Sequence, residues 1–150
     1  MAERVEAYSW GTPVTWEPNA PAAVLVSDDH GRGALAQRAH PSDPDQRCVV
    51  LRFDQVIYAQ LTSINDEARG QHRLYDAGLK ELLWLGIVRG SGLASELRPV
   101  WTPVGEFRIQ PLHYVIASKE CVVEVIAASV DVLRVNGPPR VAATTVLLGD

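Results

Sequence analysis

The longest regular pattern in the chain runs from Cys48 to Thr62, where side chains alternate with a period of two. One set is Val49, Leu51, Phe53, Ile57, Ala59 and Leu61, and the opposite set is Arg52, Asp54, Tyr58, Gln60 and Thr62. Alternation of this length predicts a β-strand with one dry face and one wet or ligand-facing side, and it favours antiparallel pairing. Gln55 interrupts the dry face, which predicts a bulge or a bend near Asp54–Gln55.

Other apolar runs predict further strands around this one. They are a short edge strand containing Val14 and Trp16, and strands at 22–27, 82–88, 107–118, 121–135 and 141–148. Because the polar break between 107–118 and 121–135 is short, these two runs are expected to form a hairpin.

Helical signals are few. Residues 34–39 can form one helical turn, and residues 73–83 carry a loose leucine stripe that Gly78 weakens. Ser91 is a suitable N-cap for a short helix that Pro99 is expected to end. We therefore predict a mainly β (α+β) fold, either a compact antiparallel β-barrel or a strongly bent sheet, with one or two short helices.

Length and composition limit the function. A chain of 150 residues with 47% hydrophobic and 21% charged residues is expected to form one globular domain over 1–150. The formal net charge of −4 argues against a nucleic-acid partner, which normally requires a basic surface. No apolar run reaches the length of about 18 residues that a transmembrane helix needs, so no membrane association is expected. The N-terminus lacks the apolar segment of a secretory signal, which predicts a cytoplasmic protein.

The cysteines and lysines add two further expectations. Cys48 and Cys121 are expected to be reduced and buried, since no secretory signal is visible. Neither zinc-ligand spacing nor a nucleotide-binding glycine motif occurs, so we expect no metal and no cofactor. Lys80 and Lys119 are the only lysines, and this arginine bias is typical of a GC-rich bacterial genome.

The densest group of chemically active side chains lies at 65–79, directly after the alternating strand. Asp66 and Glu67 are adjacent carboxylates, His72 can exchange protons near neutral pH, and Tyr75 can donate a hydrogen bond to a substrate oxygen. The structural alternatives are a solvated loop histidine and, for Asp66, an ordinary turn former or helix N-cap.

A second histidine lies within an apolar strand. His113 is expected either to be a core residue with one satisfied hydrogen bond or to project into a cavity and meet the 65–76 segment there. Tyr58 lies on the wet side of its strand and can polarise a substrate oxygen. The candidate catalytic residues are therefore His72, His113, Tyr58, Tyr75, Glu67 and Asp66.

The candidate ligand-binding residues are Arg52, Trp84, Trp10 and Trp16. Arg52 can pair with a carboxylate ligand or, as a structural ion pair, with Asp54. The N-terminal aromatic residues can serve as a lid over a pocket.

Two other kinds of site have little support in the sequence. An iron site made from His72, His113 and a carboxylate rests on composition alone. Ser91 and Ser95 lack the Gly-x-Ser-x-Gly motif and the strand–elbow–helix context of a nucleophilic serine.

The leading hypothesis is a β-barrel-like protein that binds a small organic molecule in an apolar cavity. If it is an enzyme, the residues favour cofactor-free acid–base or shape-driven chemistry of the isomerase, cyclase or lyase type, in bacterial specialised metabolism. The alternative is a protein-interaction module such as a toxin-neutralising immunity protein, with 65–76 as a charged contact surface and tryptophans as anchors. A structural subunit of a homo-oligomer is the third possibility.

Overall fold

The computed structural model describes residues 2–8, 14–104 and 110–149, and it describes 99–104 by their backbone alone. Within these ranges the chain forms nine strands and two α-helices. The strands are β1 (Arg4–Ala7), β2 (Val24–Ser27), β3 (Arg32–Gln37), β4 (Cys48–Asp54), β5 (Tyr58–Thr62), β6 (Leu85–Arg89), β7 (Leu112–Ala117), β8 (Val122–Ala127) and β9 (Ser129–Val135), and the helices are α1 (Gly92–Val104) and α2 (Pro139–Leu148). The mainly β fold predicted from the sequence is confirmed.

The strands form two sheets. Sheet A has the order β1-β6-β7-β8-β5, and sheet B has the order β2-β3-β4-β9. Every pairing between described strands is antiparallel. The two sheets do not close into a barrel over the described ranges, so the fold is the bent-sheet alternative.

Two neighbouring strand pairs carry the chain from one sheet to the other. Strand β4 pairs with β9 in sheet B, and its continuation β5 pairs with β8 in sheet A. Where β4 passes into β5, three residues (55–57) lie opposite two residues (127–128) of the neighbouring chain. The segment between β4 and β5 therefore contains one extra residue. Gln55 has a φ of 52°, outside the extended region. The bulge predicted near Asp54–Gln55 is confirmed.

The main hydrophobic core lies between the sheets. Sheet B contributes Leu35, Val49, Leu51 and Phe53, and sheet A contributes Leu85, Ile87, Tyr114, Ile116, Val123 and Val125. Trp16 is buried in the same core although it belongs to neither sheet. The edge strand predicted around Val14 and Trp16 is therefore wrong, and β1 is the strand that the N-terminal segment adds to sheet A.

The outer face of sheet A, turned away from sheet B, is covered by the segment 64–82. Leu74, Leu79 and Leu82 of this segment pack against strand residues that include Val5 and Val115. The segment contains two short 3₁₀ turns, Arg69–Gln71 and Leu79–Glu81, so the helix predicted over 73–83 is wrong.

Gly78 explains why no helix forms in this segment. Its φ is +127°, and a Cβ at this position would lie 2.7 Å from the backbone oxygen of Val5. Only glycine fits this close crossing over β1, and the crossing forces the chain out of helical geometry.

The outer face of sheet B is covered by α2, where the sequence predicted a last strand at 141–148. That prediction is wrong. Pro139 occupies the first turn, a favoured position for proline, and Ala142, Ala143 and Val146 recur with helical spacing on the buried side. They pack against a flat apolar surface of sheet B that includes Ala36.

Two further local predictions differ from the structure. The helical turn predicted at 34–39 is wrong, because residues 34–37 belong to β3, which pairs with β4 over its whole length, and residues 38–39 follow the strand. Ser91 caps α1 as expected, but the helix continues past Pro99 to Val104. A proline removes one helical hydrogen bond, and here the helix persists on both sides of it.

Candidate functional site

A buried carboxylate marks the most unusual position on sheet A. Glu124 lies in the middle of β8, where all six residues are buried, and it is 2% exposed. Its side chain points to the outer face, since Val123 and Val125 face the core between the sheets. Charged side chains are almost never this deeply buried unless they are paired.

Arg73 supplies the main counter-charge to Glu124. The guanidinium reaches down from the covering segment and donates two hydrogen bonds, Nη1 to Oε2 at 2.9 Å and Nη2 to Oε1 at 2.6 Å. A bidentate pair of this kind is among the strongest that proteins form. Half of the Arg73 side chain remains exposed, so the pair joins the buried strand to the surface.

Both sequence-predicted histidines meet at the same carboxylate. His113 Nε2 lies 2.9 Å from Glu124 Oε1, and His72 Nε2 lies 3.4 Å from Oε2. The Nδ1 atom of His72 accepts a hydrogen bond from the Leu74 amide at 3.1 Å, so its proton is on Nε2, facing Glu124.

Ser91 extends this network to the start of α1. Its Oγ lies 2.6 Å from His113 Nδ1 and accepts a hydrogen bond from the Ala94 amide at 3.0 Å. Since Glu124 holds the His113 proton on Nε2, the Ser91 hydroxyl donates to the lone pair on Nδ1. Two hydrogen bonds therefore run in one direction, from Ser91 to His113 and from His113 to Glu124. We call these three residues the relay.

The electrostatics keep Glu124 ionised. Burial by itself would raise the pKa of this carboxyl, but hydrogen bonds from His113, His72 and Arg73, together with the Arg73 charge, outweigh it. The pKa of Glu124 is thus held well below its ordinary value. The charged carboxylate lies 2.9 Å from His113 Nε2.

The local chain path explains how Ser91 reaches the relay. Strand β6 ends at Arg89, Gly90 turns the chain with a φ of 66°, and Ser91 precedes the first residue of α1. The geometry is strand, tight turn, helix, so the expectation that Ser91 lacks this context is wrong. His113 pairs with Ile126 across β7 and β8, two residues from Glu124 on the same face.

A groove of about 430 Å³ lies where the relay meets the surface. It is lined by Val88, Arg89, Gly90, Ser91, Ala94, Ser95, Arg98, Gln110, Pro111, Leu112 and His113. As whole residues, His113 is 2% exposed and Ser91 is 8% exposed. Both residues line the groove, and Ser91 is the less buried of the two.

Tyr58 is the third predicted catalytic residue that the structure brings to this region. It faces the same side of sheet A as Glu124 and shares a hydrogen bond with Gln60. Burial and the Glu124 charge raise the pKa of Tyr58, while Arg73 opposes this shift.

The other predicted catalytic residues lie apart from the relay. Asp66 pairs with Lys119 at 2.8 Å, which lowers the pKa of its carboxyl. Glu67 is exposed, and Tyr75 is half-buried beside Gly70.

The predicted ligand-binding residues are dispersed. Arg52 lies on sheet B and pairs with Asp131 at 3.1 Å, an ion pair other than the Asp54 pair considered from the sequence. Trp16 is 1% exposed in the core and meets Trp84 edge to face, with ring centroids 5.2 Å apart. Trp10 lies outside the described residues.

Trp84 does line a second groove, of about 420 Å³ and mainly apolar, together with Tyr8, Val14, Leu82 and Leu83. None of the relay residues belongs to it. The sequence predicts one cavity that contains both an apolar binding surface and the acid–base residues. In the structure the apolar surface lies in the groove beside Trp84, and His113 lies at the other groove.

The sequence does not predict three residues of this network, namely the relay members Ser91 and Glu124 and the Glu124 partner Arg73. A signal for Glu124 was present, because it is the single charged residue within the apolar run 122–127. Ser91 escapes detection by the Gly-x-Ser-x-Gly motif because that motif describes one kind of strand-to-helix turn, and Arg89–Gly92 forms another.

No family model matches the chain, and comparisons with curated proteins and with solved structures find no significant match. Among the described helices, none is long and apolar enough to cross a membrane. A search of the described side chains finds no group of three or more His, Cys, Asp and Glu placed to hold a metal ion. Cys48 and Cys121 are both buried free thiols.

Proposed function

We propose that this protein binds a small organic molecule in the groove beside Ser91 and acts on it by proton transfer through the relay. The observation that carries the proposal is the directed pair of hydrogen bonds from Ser91 through His113 to Glu124, which ends at that groove. The apolar groove beside Trp84 is less suitable for chemistry, since Glu81 is the only acid or base with an ordinary pKa below 8 among the lining residues that the structure describes.

The chemistry follows from the roles of the three groups. As the Ser91 oxygen takes a proton from the bound molecule, its own proton moves to His113 Nδ1. Glu124 accepts the Nε2–H bond throughout and stabilises the imidazolium that results. Return of the proton to another atom of the molecule gives an isomerisation, and loss of a leaving group gives an elimination.

The surroundings favour such a step in two ways. Arg73 and His72 hold Glu124 in one position, so the ring of His113 is oriented before any ligand arrives. The relay is also shielded from water below the groove, where hydrogen bonds to a charged group are stronger than at the surface.

Proton abstraction from nitrobenzisoxazole tests the proposal. Loss of one C–H proton to a base breaks the N–O bond of this small probe and releases a coloured nitrophenolate. We expect the protein to accelerate the reaction over buffer, and His113→Asn to reduce the acceleration on the order of 10²-fold. His40→Asn is the matched control, because the ring of His40 contacts Ser42 in a loop and not the relay.

A second variant separates loss of chemistry from loss of folding. Ser95 is exposed and lines the groove, so Ser95→Tyr fills the groove without altering the relay. We expect this variant to lose the acceleration with an unchanged Tm. Failure of the unmodified protein to accelerate the reaction, or acceleration that survives both variants, would contradict the proposal and favour a protein-docking role.

A further inference from the structure

We infer that Ser91 is a nucleophile that forms a covalent acyl intermediate with a small carboxylic ester or thioester. The inference deepens the proposed function and rests on the same groove and relay. It adds two elements: covalent chemistry at the Ser91 oxygen and a backbone amide that stabilises the oxyanion.

The Ser91 hydroxyl lies next to a base that can activate it. A serine is a weak nucleophile unless a neighbouring base removes its proton, and His113 Nδ1 lies 2.6 Å from Ser91 Oγ for that purpose. The base is oriented in turn by a carboxylate, as in the serine–histidine–acid arrangement of acyl-transfer enzymes. Here the two ring nitrogens exchange roles, since Nδ1 faces the serine and Nε2 faces the acid. Either nitrogen of an imidazole can act as the base.

The backbone amide that directly follows Ser91 is the Gly92 N–H. In hydrolases with a strand–turn–helix nucleophile, this N–H stabilises the oxyanion of the tetrahedral intermediate. The Gly92 N–H occupies the equivalent place in the chain, at the N-terminus of α1. It donates a 2.9 Å hydrogen bond to the Glu3 carboxylate, so this amide already binds a negatively charged oxygen beside Ser91. A substrate oxyanion would take the place of that carboxylate.

The reaction balances with the groups that are present and water. Ser91 Oγ attacks the carbonyl carbon, its proton moves to His113 Nδ1, and the carbonyl oxygen becomes the oxyanion at Gly92. The bond to the leaving group then breaks, and the leaving oxygen or sulfur takes the proton from Nδ1. Water gives a proton to Nδ1 and attacks the acyl carbon, after which Ser91 recovers its proton and the carboxylic acid leaves.

An alkyl fluorophosphonate probe tests the inference on the full chain, because it modifies activated serines by displacement of fluoride. We expect the probe to modify Ser91, identified by mass spectrometry of the peptide that contains it. Ser91→Asn keeps an oxygen for the helix cap but removes the nucleophile, so it should fold and remain unmodified. His113→Asn should slow labelling on the order of 10²-fold.

Ser63→Ala is the matched control, since Ser63 is exposed and lines neither groove. An unmodified Ser91 in the folded protein, or labelling that continues at an unchanged rate in Ser91→Asn, would overturn the inference. If Ser91 is not labelled but nitrobenzisoxazole is still consumed in a His113-dependent manner, the nucleophile is wrong and the proposed function stands. If Ser91 is not labelled and nitrobenzisoxazole is not consumed, both the inference and the proposed function are wrong.

Discussion

The two outer faces of the molecule are buried by different means. Sheet B packs against α2 through small and apolar side chains, among them Ala36, Val50 and Ala143, all 0% exposed. Sheet A packs against the 64–82 segment through leucines and valines, but it also encloses Glu124 and His113. Each sheet needs its outer face covered, and in the part of the chain that the structure describes the buried carboxylate lies under the cover of sheet A.

The comparison shows that covering a sheet does not require a buried carboxylate. The interface with α2 joins a helix to a sheet by apolar contact and close packing. On sheet A, Glu124 must be desolvated, and its bonds to Arg73, His113 and His72 offset that cost only while the network is complete. An apolar residue at position 124 would have avoided the cost, which supports the proposal that the network does more than hold the segment in place.

Truncating one buried side chain on each outer face is expected to give the largest difference in the free energy of unfolding. Glu124→Ala leaves His113 Nε2–H buried without its acceptor and removes the partner of Arg73, which should lower the free energy of unfolding by about 3 kcal/mol. Val50→Ala removes two buried methyl groups beneath α2 and should cost about 2 kcal/mol. Urea unfolding followed by circular dichroism measures both.

The double variant Glu124→Leu, His113→Leu provides the control for this prediction, since it replaces the pair with apolar side chains rather than breaking it. We expect it to recover part of the stability lost in Glu124→Ala, because the buried His113 Nε2–H is removed together with its acceptor. The recovery is incomplete, since the Ser91 hydroxyl and the His72 Nε2–H still lose their acceptors. A Glu124→Ala protein as stable as the unmodified chain would show that the network contributes nothing to the cover of sheet A.

The same contrast explains how far the sequence predicts the fold. Alternation in 48–62 correctly predicts extended chain with a bulge or bend near Asp54–Gln55, because a period of two is imposed locally by strand geometry. The structure divides the single predicted strand into β4 and β5. Residues 141–148 were assigned to a strand because valine and threonine favour strands in general. The flat apolar surface of sheet B, formed by residues distant in the chain, decides in favour of a helix there.

The candidate site was predictable only in part for a similar reason. His72 and His113 are recognisable by residue type, and the structure places both at one carboxylate. Glu124 and Ser91 acquire their significance from strand register and from the turn at Gly90, which no local pattern specifies. The expected common cavity depended on long-range geometry as well, and the structure has two separate grooves instead.

The pH dependence of stability is expected to differ between the faces. Because the pKa of Glu124 is depressed in the folded protein, the unfolded chain takes up the proton first as the pH falls. The stabilisation is therefore complete above the ordinary pKa of about 4.3 and is lost on acidification, by up to about 1.4 kcal/mol per pH unit. Arg73, His72, His113 and Tyr58 are the ionisable groups that act on this carboxyl.

Unfolding measured from about pH 5 to about pH 2.5 tests this dependence, because the range extends below the ordinary carboxyl pKa. Glu124→Gln should show a shallower decline than the unmodified protein, because the amide cannot be protonated in this range. Val50→Ala should be less stable throughout, with the original slope. Parallel curves for Glu124→Gln and the unmodified protein would contradict the depressed pKa.

The smallest effect concerns the start of α1, where Glu3 occupies the Gly92 amide. A carboxylate at a helix N-terminus contributes about 0.3–1 kcal/mol, so Glu3→Ala should lower the free energy of unfolding by that amount. Glu67→Ala is the matched control, since it removes the same charge from an exposed site away from α1. If Ser91 uses the Gly92 amide for its oxyanion, Glu3→Ala should also speed labelling of Ser91 by the fluorophosphonate, because the competing carboxylate is gone. A slower or unchanged labelling rate would mean that the amide serves only to anchor the N-terminal segment. The groove beside Ser91 would then lack the proposed oxyanion site.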